Sequence, residues 1–255
     1  MLDDTVLTEQ RGGVLLVTLN RPDQRNAVNG ALAQAMAAAL DTLDSTPELR
    51  VGVLTGAGKG FCAGMDLKAF VQGERAYAGD RGFAGIVERP SRKPLIAAIE
   101  GFAVAGGLEI ALACDLIVAA RGALLGIPEA KRGLVAAAGG LLRLPQRIPY
   151  HLAMELALTG ESISAERAAQ LGLVNRLAEP GEALAVALGL AAEIAANGPL
   201  ATAAAKRILA EGPGWPQAEQ WARQREITDP VLDSADAREG SVAFAEKRAP
   251  VWRGR

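Results

Sequence analysis

Through the first half of the chain, short apolar runs alternate with stretches whose apolar residues recur at helical spacing. Val14 to Leu19 reads as a strand, Asn20-Arg21-Pro22-Asp23 as a turn, a helix is expected around Gly30 to Leu43, and Val51 to Thr55 reads as the next strand. That rhythm is α/β. A glycine-rich loop runs from Gly56 to Asp66, and Pro94 opens another strand-like run, Leu95 to Ile99. The segment Gly101 to Gly107 then empties into an amphipathic helix carrying Leu108, Ile110, Ala111 and Leu112, with Leu116 to Ala119 and Leu124 to Gly126 beyond it. Strand, glycine turn and helix thus recur twice. From about Pro149 the pattern turns almost wholly helical, broken at Gly160, Gly172, Pro180-Gly181, Gly198-Pro199 and Gly212-Pro213-Gly214. The alanine-rich stretches Ala31 to Leu40 and Ala183 to Ala196 favour helix and close packing. These breaks divide the chain into a core over 1–198 and a helical region over 199–255.

Composition narrows the function classes. Half of the 255 residues are apolar and 22% are charged, as in an ordinary globular protein with a large core. The 27 basic and 29 acidic residues leave a net charge of −2 with no long run of one sign, so nothing tracks a phosphate backbone and nucleic acid is not the expected partner. Met1-Leu2-Asp3-Asp4 lacks the basic and apolar regions of a secretory leader. The most apolar stretch, Phe102 to Ala120, is interrupted by Glu109 and Asp115. The expectation is a cytoplasmic protein with no membrane partner. Cys62 and Cys114 have no metal-ligand spacing and read as small core residues. With His151 as the single histidine, a three-histidine zinc site is excluded. A serine or cysteine nucleophile system would have to run through His151, which has no serine or cysteine motif beside it. No metal site is expected.

The loop Thr55-Gly56-Ala57-Gly58-Lys59-Gly60-Phe61 invites a phosphate-loop reading, because glycines let backbone amides approach an anion. The match fails: Val53 stands where that motif needs glycine, and Gly60 where it needs serine or threonine. The dinucleotide fingerprint fails too, since Gly56-x-Gly58 is followed by Lys59 and Gly60.

The continuation Phe61-Cys62-Ala63-Gly64-Met65-Asp66-Leu67 resembles the first signature of the enoyl-CoA hydratase/isomerase (crotonase) family. Ile99-Glu100-Gly101-Phe102-Ala103-Val104-Ala105-Gly106-Gly107-Leu108-Glu109 with Ala113-Cys114-Asp115-Leu116 resembles its second signature. Gly126-Ile127-Pro128-Glu129-Ala130-Lys131-Arg132-Gly133-Leu134 with Ala138-Gly139-Gly140 and Arg143-Leu144 resembles its third. Asn20-Arg21-Pro22, Asn26-Ala27 and Leu171-Gly172-Leu173-Val174-Asn175 also fit, so the resemblance covers nearly the whole chain. It implies an α/β fold of the ClpP/crotonase kind, a crotonase-like spiral of ββα units with a helical C-terminal trimerisation region. It further implies a homotrimer or a homohexamer built as a dimer of trimers.

It also implies chemistry. The substrate is an acyl-CoA thioester, no separate cofactor is needed because coenzyme A is part of the substrate, and the oxyanion hole is made by the backbone N–H groups of Met65 and Gly106. Independently of any family, Gly106-Gly107 lies just before an amphipathic helix, where unpaired amides and the helix dipole favour an anion. By resemblance Glu109 activates water and Glu129 serves as its acid partner. Two carboxyl groups flanking one water can divide that work, and enclosure by apolar neighbours should raise the pKa of at least one of them. Coenzyme A is implied to lie along Arg25-Asn26-Ala27 and the segment Ala63 to Lys68, with Ala63 and Asp66 near the adenine or pantetheine, Lys68 near a phosphate, and Leu67 and Gly107 as further substrate contacts. Against these readings, each glutamate could simply sit in the first turn of a helix, and Arg25 and Lys68 could be ordinary solvated charges. Leu134 to Gly140 departs from the fatty-acyl hydratase pattern, while Pro128-Glu129-Ala130-Lys131 and Leu142-Arg143-Leu144-Pro145 resemble the carnitinyl-CoA dehydratase branch. The acyl pocket is expected from Phe70 to Val87 and the C-terminal helices. An isomerase or carnitinyl-CoA-dehydratase-like enzyme is the runner-up, and a non-catalytic acyl-CoA or RNA binding protein is the reading from a different class. The paired glutamates and the balanced charge speak against the last two.

Overall fold

The structure, a computed structural model, describes residues 4–255. Met1-Leu2-Asp3, the start of the stretch read as lacking a leader, lies outside them. The elements run β1 (Val6–Arg11), β2 (Val14–Leu19), α1 (Gly30–Ser45), β3 (Val51–Gly56), α2 (Leu67–Val71), β4 (Leu95–Ile99), β5 (Phe102–Val104), α3 (Gly106–Ala113), β6 (Leu116–Ala120) and β7 (Leu124–Gly126). The second half adds α4 (Gly140–Arg143), α5 (Tyr150–Thr159), β8 (Ser162–Ser164), α6 (Ala165–Gln170), β9 (Arg176–Ala178), α7 (Ala183–Ala195), α8 (Pro199–Glu211), α9 (Gln220–Leu232) and α10 (Ala235–Glu246).

A six-stranded sheet has the order β1-β2-β3-β4-β6-β9 and is parallel apart from the β1–β2 hairpin. Its central strands β2, β3, β4 and β6 are predominantly apolar, interrupted among polar residues only by Thr18 and Thr55, because both faces are covered. Leu15, Val17 and Leu19 face the side buried by Leu32, Met36, Leu40 and Leu43 of α1, whereas Val14, Leu16, Val51, Val53, Ile96 and Val118 join Ala183, Ala187, Leu190 and Ala191 of α7. Small alanines on α7 let that helix lie close to the sheet. A second sheet, β5-β7-β8, stands beside α3.

The expectation of an almost wholly helical second half is corrected here: β8 pairs antiparallel with β7, and β9 extends the large sheet beyond β6. Each is three residues long, too short for an alternation to register. Likewise, the glycine turn expected over Gly101 to Gly107 contains β5.

The last three helices are tied back to the core. Lys206 Nζ donates to the Asp115 carboxylate at 2.7 Å and to Lys93 O at 2.8 Å, Trp252 Nε1 donates to Ala196 O at 2.7 Å, and the buried Asp236 carboxylate accepts from the Arg253 and Gly254 amides. No single helix among the described residues is long and apolar enough to cross a membrane.

The segment 76–92, between α2 and β4, is pinned to α1 through Arg81, which is only 1% exposed. Its guanidinium donates to Asp41 Oδ1 at 2.7 and 3.1 Å, to Asp44 Oδ2 at 3.2 Å and to Arg89 O at 2.7 Å, while Asp44 Oδ1 also accepts from Ser91 Oγ at 2.6 Å. Arg81→Leu strands the buried Asp44 charge, whereas Asp41 stays in water. The expected cost is about 3 kcal/mol, read as a Tm lower by roughly 6–12 °C in calorimetry. An unchanged Tm would mean that the pair contributes no net stability.

Candidate active site

Two glycine loops are brought together at the start of α3. Val28 N–H donates to Gly64 O and Asp66 N–H to Val28 O, a strand-like pairing that leaves the Met65 N–H unclaimed by any acceptor among the described residues. The Gly106 N–H, the first of α3, is equally unclaimed, as the geometry of a helix start requires. Gly64 has φ +92°, and a Cβ there would fall 2.8 Å from Gly106 N, so the two donor segments touch. Ala105, just before α3, holds a non-glycine φ of 53° with ψ of −134°, a strained conformation that turns the chain into the helix. Asn26 buttresses the first loop: its side-chain nitrogen donates to Ala57 O at 2.8 Å and Gly60 O at 2.9 Å, while its Oδ1 accepts from the Arg21 amide at 3.0 Å. That explains why an asparagine at φ 56° closes the Asn20 to Ala27 stretch.

Glu109 projects from the first turn of α3 and is buried. Its Oε1 accepts the Ala138 and Gly140 amides, each at 2.8 Å, and among the described residues no donor takes Oε2. One oxygen is fixed and the other is free. Burial pushes the Glu109 carboxyl above the usual range, against the two amides that favour its ionised form; the nearby Glu129 pushes it further up. Glu129 sits in a single 3-10 turn, Pro128–Arg132, and its buried Oε2 has no hydrogen-bond partner. Desolvation raises its pKa as well, opposed by its own amide and by Arg132. A buried orphan oxygen that is costly to ionise marks a group able to keep and deliver a proton.

Both glutamates line one cavity of about 370 Å³. The structure also brings Arg25, Ala27, Ala63, Met65, Leu67 and Gly106 to its wall. Asp66, Lys68 and Gly107 lie outside it. Asp66 caps α2 through the Lys68 and Ala69 amides and pairs with Arg21 at 3.0 Å, Lys68 is exposed, and Gly107 lies so tightly under the first loop that a Cβ would meet Cys62 O at 2.1 Å. Cys62 is buried, and burial pushes its thiol to about 12, which removes it as a nucleophile. His151 is absent from the cavity wall.

Sequence reasoning missed the Ala138 and Gly140 amides that hold Glu109, although the Gly139-Gly140 pair was the available signal. The apolar wall comes from Tyr77 and Phe83, within the expected Phe70 to Val87 region, and from Leu134, Val135 and Ala137. The expected contribution of the C-terminal helices is corrected: none of the cavity's lining residues lies on α8, α9 or α10.

The sequence matches the model of the family described as enoyl-CoA hydratase/isomerase over residues 9–255. It is 44% identical over 256 residues to an enoyl-CoA hydratase of Mycobacterium tuberculosis, covering 98% of this chain and 96% of that protein. It is 42% identical over 262 residues to a carnitinyl-CoA dehydratase of Salmonella typhi, covering 100% of both. The crystal structure of an enoyl-CoA hydratase from Mycobacterium marinum matches with a TM-score of 0.97 at 59% identity, covering 99% of this chain and 100% of that one. The fold implied by the sequence resemblance is therefore the fold present, and the chain belongs to the enoyl-CoA hydratase/isomerase family.

Proposed function

We propose that the protein is an enoyl-CoA hydratase that adds water reversibly across the double bond of a 2-enoyl-CoA thioester. The observation that carries this reading is two carboxyl groups of raised pKa in one cavity beside two unclaimed backbone amides. The Met65 and Gly106 N–H groups take the thioester oxygen as it gains negative charge. The free Oε2 of Glu109 removes a proton from water, the water oxygen bonds to the β-carbon, and the electrons pass to the thioester oxygen. Glu129, protonated, delivers its proton to the α-carbon. Reversal of these steps removes water, so the dehydration performed by a carnitinyl-CoA-dehydratase-like enzyme uses the same pair; 42% identity over the full length to such a relative keeps that second reading of the acyl group beside the first. An isomerase needs only one such carboxylate, and retention of both speaks for hydration.

On this reading Arg25, Ala27, Ala63 and Leu67 flank coenzyme A, with Asp66 and Lys68 adjoining them and Gly107 supporting the thioester end. Neither a metal nor a separate cofactor takes part. The exposed Trp221, Leu232 and Phe244 of α9 and α10 support assembly as a homotrimer or a dimer of trimers. A cytoplasmic location goes with a substrate whose charged coenzyme A moiety does not cross bilayers.

Purified protein mixed with crotonyl-CoA should bleach the ultraviolet absorbance of the conjugated thioester, and dialysis against EDTA should leave the rate unchanged. A rate on crotonyl-CoA and longer enoyl-CoA chains establishes the hydratase and sizes its acyl group, and with that any place in fatty-acid metabolism. No bleaching with any enoyl-CoA would overturn the reading, and EDTA inactivation would overturn its metal-free chemistry.

A further inference from the structure

Arg143 is the cation nearest in function to Glu109 that the reaction scheme leaves unused. It ends α4, is partly buried, and makes no ion pair among the described residues. Its Nη2 donates to Val87 O at 2.5 Å, and its Nη1 lies over Gly139, where a Cβ would meet it at 2.2 Å. Gly139 has φ +89°, a conformation that admits this close approach only because the residue has no side chain. On either side of Gly139 stand the two amides, Ala138 and Gly140, that hold Glu109 Oε1. The guanidinium therefore braces the turn that anchors the carboxylate, and its other end is fastened to the segment carrying Phe83 and Val87.

We propose that Arg143 is the positioning residue of Glu109: it clamps the Ala138–Gly140 turn that fixes Oε1 and sets a positive charge behind that turn. This rests on the hydratase reading for its kinetic consequences, not for its geometry. The charged or titratable groups that act on Glu109 are Glu129 from the turn after β7 and Arg143 from α4; Arg147 and Cys114 act in turn on Arg143, and Arg132 on Glu129. Glu129 disfavours ionisation of Glu109, so Arg143 is the side-chain cation that opposes it. Because Arg143 stabilises the charged form of an acid, its removal raises the pKa of Glu109. The base is then lost by protonation at a higher pH.

The test compares Arg143→Met and Arg143→Lys with the native enzyme on crotonyl-CoA, with circular dichroism to establish folding. The methionine variant is expected to lose about a hundredfold in kcat with little change in KM, because misplacing a reacting group by an ångström costs that much. The acid limb of its kcat/KM profile should move up by about one pH unit. Lysine should restore the limb but not the full rate, since it keeps the charge and loses the planar fork over Gly139. Infrared titration of the carboxyl band, assigned with Glu109→Gln, reads the same displacement without turnover, so failure of the hydratase reading leaves this test intact. A native-like limb and band position in a folded Arg143→Met, or a loss of kcat that lysine rescues without moving either, would overturn the proposal.

Discussion

Glu109→Gln and Glu129→Gln are each expected to lower kcat by about 10²–10⁴-fold, the usual contribution of a positioned proton-transfer group. Glutamine keeps the shape and an acceptor oxygen, so the Ala138 and Gly140 amides stay occupied at position 109. Binding of a CoA ester, read by calorimetric titration, should remain nearly native. The double variant should be hardly worse than the worse single variant, because on the proposed mechanism the two groups serve one addition of water as a unit. Stability supplies a second readout. Both carboxyls have folded pKa values raised above 4.5, so each costs stability once pH exceeds its folded value, and that cost fades as pH falls back through it toward 4.5. Glutamine removes the charge, and at neutral pH the Tm of either variant should be no lower than native. A variant that keeps most of its activity would refute the two-carboxylate mechanism.

Gly64→Ala carries the other large effect. A Cβ at φ +92° is strained on its own account, and here it would press on Gly106 N at 2.8 Å and on Ala105 Cβ at 2.9 Å. The donor segments separate, and losing the use of one oxyanion donor costs about 10²–10³-fold in kcat. Gly73→Ala is the control, since Gly73 has φ +84° with nothing within 4 Å of its would-be Cβ. It carries the backbone strain alone and should lower Tm without touching kcat. Equal kcat losses in the two variants would assign the effect to folding rather than to the oxyanion hole.

Local pattern reached the β2, β3, β4 and β6 strands because burial on both faces leaves a dense apolar run, and it reached α1 and α3 through their spacing and the glycines before α3. It did not reach β1, whose Val6 to Arg11 run is largely solvent-exposed at the sheet edge, or β8 and β9, whose three residues owe their conformation to partners far along the chain. At the site the candidate glutamates and amides were legible as motifs. Asp66 illustrates the limit: only its fold neighbours reveal that its carboxylate caps α2 and pairs with Arg21, 45 positions away.

By itself, then, the sequence determined the α/β class, the glycine loops able to bare backbone amides, and the identity of the two candidate acid–base groups, because these depend on residue type and short-range spacing. Only the tertiary structure decided that Glu109 is held by amides 29 and 31 residues downstream, that Glu129 carries an orphan buried oxygen, and that Tyr77 and Phe83 wall the same cavity. Burial, and with it the raised pKa of each carboxyl, is a property of which segments meet in space, and contacts closed over long loops leave no periodic trace along the chain.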